Sequence, residues 1–154
     1  MNRAVMTLLD RHTVHDVVTR LFVKTDEGDW DGVRSCLASR VHFDMSSAGA
    51  GPPRVRTGEE ITRDWELALA PLDATHHQIG SVVVHVDSEA EEADVVCHGI
   101  ALHHRRHPSG RNTRMYVGRY AFHLCQEGHH WKVDRIRLDL RFAEGGTELE
   151  TLPM

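Results

Sequence analysis

The sequence predicts an α+β domain, residues 1–154 as one unit, in which three N-terminal helices are followed by an antiparallel sheet. Three observations lead there. Apolar residues recur at helical spacing as far as residue 72, the spacing changes to that of strands from Thr75 onward, and no linker, repeat or low-complexity segment divides the chain. A length of 154 residues is also the ordinary size of one domain.

Each element has its own signal. Val14, Val17, Val18, Leu21 and Phe22 share one side of a first helix over residues 10–24, and Gly28 suits the left-handed residue that closes it. Asp29 caps a shorter second helix carrying Val33 and Leu37, after which Val41-His42-Phe43-Asp44-Met45 reads as a strand. Residues 46–56, rich in Ser, Gly and Pro, read as a loop. Thr57 followed by Glu60 is a capping box, and Ile61, Trp65, Leu69 and Leu72 form the apolar side of a third helix that stops near Pro71. Four strands follow over residues 77–86, 93–106, 113–124 and 131–142. Their turns fall at residues 87–92, at His107-Pro108-Ser109-Gly110 and at Gln126-Glu127-Gly128.

Composition excludes several classes. Hydrophobic residues at 40% and charged residues at 27% are globular values. No run approaches the roughly 18 apolar residues of a membrane span, and the N-terminus lacks the apolar core of a secretion signal, so no membrane and a cytoplasmic location are expected. The net charge is −5 with basic residues scattered among acids, which argues against nucleic acid as a partner. Cys36, Cys97 and Cys125 are too few and too far apart for a disulfide framework or a zinc knuckle. No Gly-rich phosphate loop is present, so no organic cofactor is expected. His98, His103, His104 and His107 invite a metal. Neighbours on a strand face opposite sides, however, and no cysteine or carboxylate completes a familiar set, so none is expected.

Four segments in order carry a resemblance: Asp26-Glu27-Gly28-Asp29-Trp30-Asp31, Phe43-Asp44-Met45-Ser46-Ser47, Thr75-His76-His77-Gln78-Ile79-Gly80, and the last strand from Trp131 to Phe142. With them the chain resembles the nuclear transport factor two-like proteins, and among these scytalone dehydratase, the bile-acid dehydratases and the small polyketide cyclases. The resemblance implies a strongly curved antiparallel or mixed sheet forming a cone with an internal pocket for a small apolar molecule. It also implies that Asp26 orients His77, the general acid/base of a water elimination. The family's two tyrosine positions hold Thr25 and Met45 here, and its serine and asparagine positions fall on Gly118 and Tyr120. A second family histidine corresponds to His103 or His104.

Residue patterning adds further candidates. His77, Ile79, Ser81, Val83 and His85 share one side of their strand by alternation, and His76 points the other way. His104 is preferred over His103 as the inward, catalytic histidine because His98, Ile100 and Leu102 share its side, which leaves His103 a substrate-binding candidate. Tyr116, Gly118, Tyr120 and Phe122 share a side, so Tyr120 is a candidate donor to a developing enolate and Tyr116 a candidate substrate contact. Trp65 joins them as a pocket wall, and Asp44 is either a strand-end cap or a pocket carboxylate.

The expected function is a cofactor-independent dehydratase, isomerase or cyclase, needing one base, one donor and a dry pocket. The alternatives are a ligand-binding module without turnover and a structural partner resembling the β subunits of ring dioxygenases. A homodimer or larger homo-oligomer is expected through the outer sheet surface, with Val82, Val84, Val86, Ala101 and Val117 as its apolar residues.

Overall fold

A computed structural model describes residues 2–106 and 112–145. Helix α1 (Arg3–Glu27) and helix α2 (Trp30–Cys36) lead into strand β1 (Leu37–Asp44), a short 3-10 turn, strand β2 (Arg54–Thr57) and helix α3 (Gly58–Leu69). Four long strands follow: β3 (Ala74–Asp87), β4 (Glu92–His104), β5 (Thr113–Glu127) and β6 (His130–Gly145). The six strands form one open sheet in the order β2-β1-β6-β5-β4-β3. Only the β1–β6 pair is parallel, so the sheet is mixed. Three helices on a curved, open sheet make the α+β cone that the sequence predicts.

Helix ends follow the expected capping chemistry. Gly28 takes φ 67° and its N–H closes α1 on the Lys24 and Thr25 carbonyls. Asp29 accepts from the Gly32 N–H, and Thr57 and Glu60 form the reciprocal capping box of α3. The core lies between the sheet's concave side and the helices, with Val14, Val18, Leu21, Val33, Ile61, Val95, Leu124 and Ile136 nearly or fully sealed from water. Asp10 ties α1 to the β3–β4 turn and to the start of β6 by accepting from Ser88 Oγ at 2.8 Å and Trp131 Nε1 at 3.2 Å.

The structure departs from the sequence reading in several places. Helix α1 begins seven residues before the expected residue 10, and Leu37 opens β1 rather than closing α2. The expected loop contains β2, whose Arg54–Thr57 segment pairs with Phe43–Arg40 of β1. The turn expected at His107-Pro108-Ser109-Gly110 lies outside the described residues. Strand β3 does not alternate throughout, because Ser81 takes φ 50° and the register shifts between Gly80 and Val83. The inner row therefore runs Thr75, His77, Ile79 and then Val82, Val84, Val86, while Val83 turns out to solvent. Val82, Val84 and Val86 pack against the core and Ala101 is buried, so of the expected oligomer residues only Val117 faces outward. Among the described residues no helix is long and apolar enough to cross a membrane.

Candidate functional site

Asp26 sits on the last turn of α1, where the helix end meets the start of β3. Phe22, one helical turn earlier, and Thr75, two residues before His77 on the same strand side, complete its surroundings. The carboxylate accepts three hydrogen bonds from β3. His77 Nδ1–H donates to Oδ1 at 2.6 Å, the His77 backbone N–H to Oδ2 at 2.7 Å, and Thr75 Oγ1 to Oδ1 at 3.0 Å. Burial works to raise the Asp26 carboxyl, but the ring and backbone bonds from His77, its charge and the Thr75 bond outweigh it and hold the acid below its usual range. Asp26 is thus an anion that fixes the imidazole with its proton on Nδ1.

Among the described residues the other ring nitrogen has no hydrogen-bond partner. The His77 side chain is 1% exposed, and its Nε2 is buried without a hydrogen bond. The ring lies 5.7 Å from Phe22 and lines a cavity of about 10 Å³ with Leu21, Thr25, Met45, Trp65, Tyr120, Phe122 and Ile136. That volume is about one water molecule's worth. The Thr25 hydroxyl is committed to the Leu21 carbonyl at 2.7 Å, and Met45 contributes an apolar wall. Tyr120 packs edge-on to Phe22 at 5.1 Å, and burial, with the Cys97 thiol adding to it, pushes its phenol up, so the hydroxyl keeps its proton.

His103, not His104, is the inward histidine of β4. The inner row is Ala93, Val95, Cys97, Gly99, Ala101 and His103, whereas Ile100 is 41% exposed on the outer side with His98, Leu102 and His104. Small residues occupy the inner row because aromatic rings from β5 lie across it: a Cβ on Gly99 would sit 2.4 Å from the Tyr120 ring. His104 instead shares a hydrogen bond with Thr113 Oγ1 at 2.9 Å, away from the cavity. His103 is fully buried with both ring nitrogens unpartnered, 6.1 Å from the His77 ring and 5.3 Å from Tyr116. Burial, reinforced by the positive potential of His77 and Arg114, pushes its imidazole down to about 4, against a weaker pull from Asp26, so the ring is neutral at physiological pH. Tyr116 accepts from Arg114 Nη1 at 3.0 Å.

Asp44 is a strand-end cap rather than a pocket carboxylate. It accepts from the Ser46 N–H at 3.1 Å and Oγ at 2.6 Å, and it lines an outer groove with Arg135 and Arg137. The site thus gathers His77, Trp65 and Tyr120 around one cavity, with Asp26 bonded to the His77 ring and His103 and Tyr116 behind it, and leaves out His104 and Asp44. Thr75 and Phe22 were absent from the candidates, although two-residue and four-residue spacing from His77 and Asp26 points to them. Among the described residues no group of three or more His, Cys, Asp or Glu is placed to hold a metal ion.

Comparison with known proteins places this geometry in a family. Residues 6–137 match the profile of the SnoaL-like domain. Among solved structures, the Kfla4162 protein from Kribbella flavida shares 21% identity, with 92% of this chain and 96% of that chain aligned at a TM-score of 0.84. A candidate scytalone dehydratase from Novosphingobium aromaticivorans shares 14% identity over 96% of this chain and 94% of its own, at 0.75. The hexachlorocyclohexane dehydrochlorinase LinA-type3 from Novosphingobium barchaimii shares 12% identity over 96% and 97%, at 0.73. At these identities the likeness is one of fold. None of the curated proteins matches the chain.

Proposed function

This chain belongs to the SnoaL-like domain family, and we propose that it is a cofactor-independent lyase or isomerase that moves a proton on a small apolar, carbonyl-bearing molecule. The observation carrying the proposal is the buried, unpartnered Nε2 of His77 on a ring whose opposite nitrogen is fixed by Asp26. With the ring in its neutral form and its proton held on Nδ1 by Asp26, Nε2 presents a lone pair to an apolar cavity. In the proposed step Nε2 takes the proton from the carbon beside the carbonyl, and the C–H electron pair moves toward the carbonyl oxygen. Asp26 stabilises the imidazolium formed. Tyr120, protonated on the cavity wall, is the donor for the developing oxyanion. In a dehydration the pair returns to form the C=C bond, the C–OH bond breaks, and the imidazolium hands its proton to the departing hydroxide, so water leaves. The dehydratase and dehydrochlorinase among the structures of similar fold support eliminations of this kind.

A ligand-binding module without turnover is the second reading. It is favoured by the closed cavity of about 10 Å³ and by Thr25 and Met45 where the dehydratases carry tyrosines. The two readings separate in D₂O. Over a panel of hydroxylated polyketide-like and steroid-like ketones, wild type should exchange the C–H beside the carbonyl for deuterium. His77→Ala should slow that exchange about 10²–10⁴-fold, the usual contribution of a positioned acid/base group. Binding without exchange in the wild type would favour the module.

A further inference from the structure

The dyad cavity is too small for an organic molecule, and one of its walls is also the wall of a larger space. Trp65 lines both the cavity and a crevice of about 190 Å³ between α3 and the segment joining β1 to β2. The crevice is bounded by Phe43, Ala50, Arg54, Arg56, Asp64 and Trp65. Its two arginines differ. Arg56 lies over the Phe43 ring, 5.3 Å from the centroid, and is ion-paired with Asp64. Arg54 Nη1 donates only to the neutral Ala50 carbonyl at 3.3 Å, and among the described residues no carboxylate lies within ion-pair distance of it. On its other side Arg54 borders the outer groove with Arg135 and with Arg137, which is paired with Asp139 at 3.0 Å, while the one carboxylate lining that groove, Asp44, accepts from Ser46. In a chain of net charge −5, this rim is locally positive.

We propose that this crevice is the outer half of the substrate site and that Arg54 holds the carboxylate head of a substrate whose apolar body passes Trp65 to reach His77. The proposal rests on the reading of His77 as the reactive group. The Trp65 indole is the partition between head and body. Its displacement joins the two spaces, and Phe43 and Trp65 present apolar surface to the part of the ligand that crosses. Arg54 then supplies a forked donor matched to a carboxylate.

Calorimetric titration with 2-naphthylacetate and the uncharged 2-naphthylacetamide tests this without any need for turnover. Wild type should bind the acetate more tightly. Arg54→Gln should weaken the acetate about tenfold and the amide less than twofold, the loss expected for a charge-assisted bond. Arg54→Lys should retain most of the preference, and Arg63→Gln, on the exposed side of α3, should retain all of it. Equal weakening of both probes, the same effect from Arg63→Gln, or no saturable binding of either probe would overturn the proposal. His77→Ala should keep the carboxylate preference. Its loss of deuterium exchange therefore reports on the dyad, while loss of the preference in Arg54→Gln reports on the crevice.

Discussion

Among the described residues two histidine–aspartate pairs have nearly the same bond and very different settings. Asp26 and His77 meet at 2.6 Å between α1 and β3, and Asp134 and His123 meet at 2.6 Å between β6 and β5. His77 is buried against Phe22 with a bare Nε2, whereas the His123 side chain is 25% exposed on the outer sheet surface with Glu92 Oε1 4.0 Å from its Nε2. A hydrogen-bonded pair is therefore not by itself a reactive site. The inner pair differs in the burial of its ring and, among the described residues, in having no competing partner at its second nitrogen, which leaves that nitrogen for a ligand and strengthens each charge interaction around it.

The largest effect that sharpens this contrast is on stability against pH, and it comes from the imidazole behind His77. His103 is pushed down to about 4 when folded, while an unfolded histidine takes a proton near 6.5. Between those values the unfolded chain holds the proton and the folded chain does not. Stability should therefore fall as pH drops from 6.5 to 4, by up to about 3 kcal/mol. Urea unfolding at several pH values checks this. His103→Leu should flatten the slope in that window. Asp26, lowered in the fold, adds stability that is lost only below its ordinary value, outside this window.

A smaller effect distinguishes the two aspartates. Asp26→Asn converts an acceptor of three hydrogen bonds into a group unable to satisfy them all, and should lose about 1–3 kcal/mol in chemical denaturation. Asp134→Asn, at a partly exposed pair where the carboxylate accepts from the His123 ring, should lose under about 1 kcal/mol. Equal losses would erase the contrast between inside and outside. Smallest of all, His104→Ala should change stability by no more than about 0.5 kcal/mol and leave deuterium exchange unaltered, since its ring bonds Thr113 away from the cavity.

What the sequence made legible follows the same division. The helices were readable because their apolar spacing and their caps at Gly28, Asp29 and Thr57 agree. Asp26 and His77 were readable because each stands at an element end within a recognisable pattern. The β3 bulge was not, since the positive φ of 50° falls on Ser81 and not on Gly80 beside it, and Ser81 and Val83 fit the expected alternation. The inner side of β4 was misread because the apolar Ile100 and Leu102 face outward. The true inner row is small where the Tyr120 ring presses on Gly99, a constraint set by another strand. Strand β2 was hidden because Arg54–Thr57 is short, polar and preceded by Gly and Pro, and is held only by its pairing to β1.

The most direct test of the central claim is the deuterium-exchange rate of one accepted ketone, measured side by side for wild type, His77→Ala and His123→Ala after each variant is shown to melt cooperatively. If burial and the bare Nε2 make the inner pair the reactive one, His77→Ala should lose about 10²–10⁴ in rate and His123→Ala should stay within about twofold of wild type. Unchanged exchange in His77→Ala, or an equal loss in both variants, would contradict it.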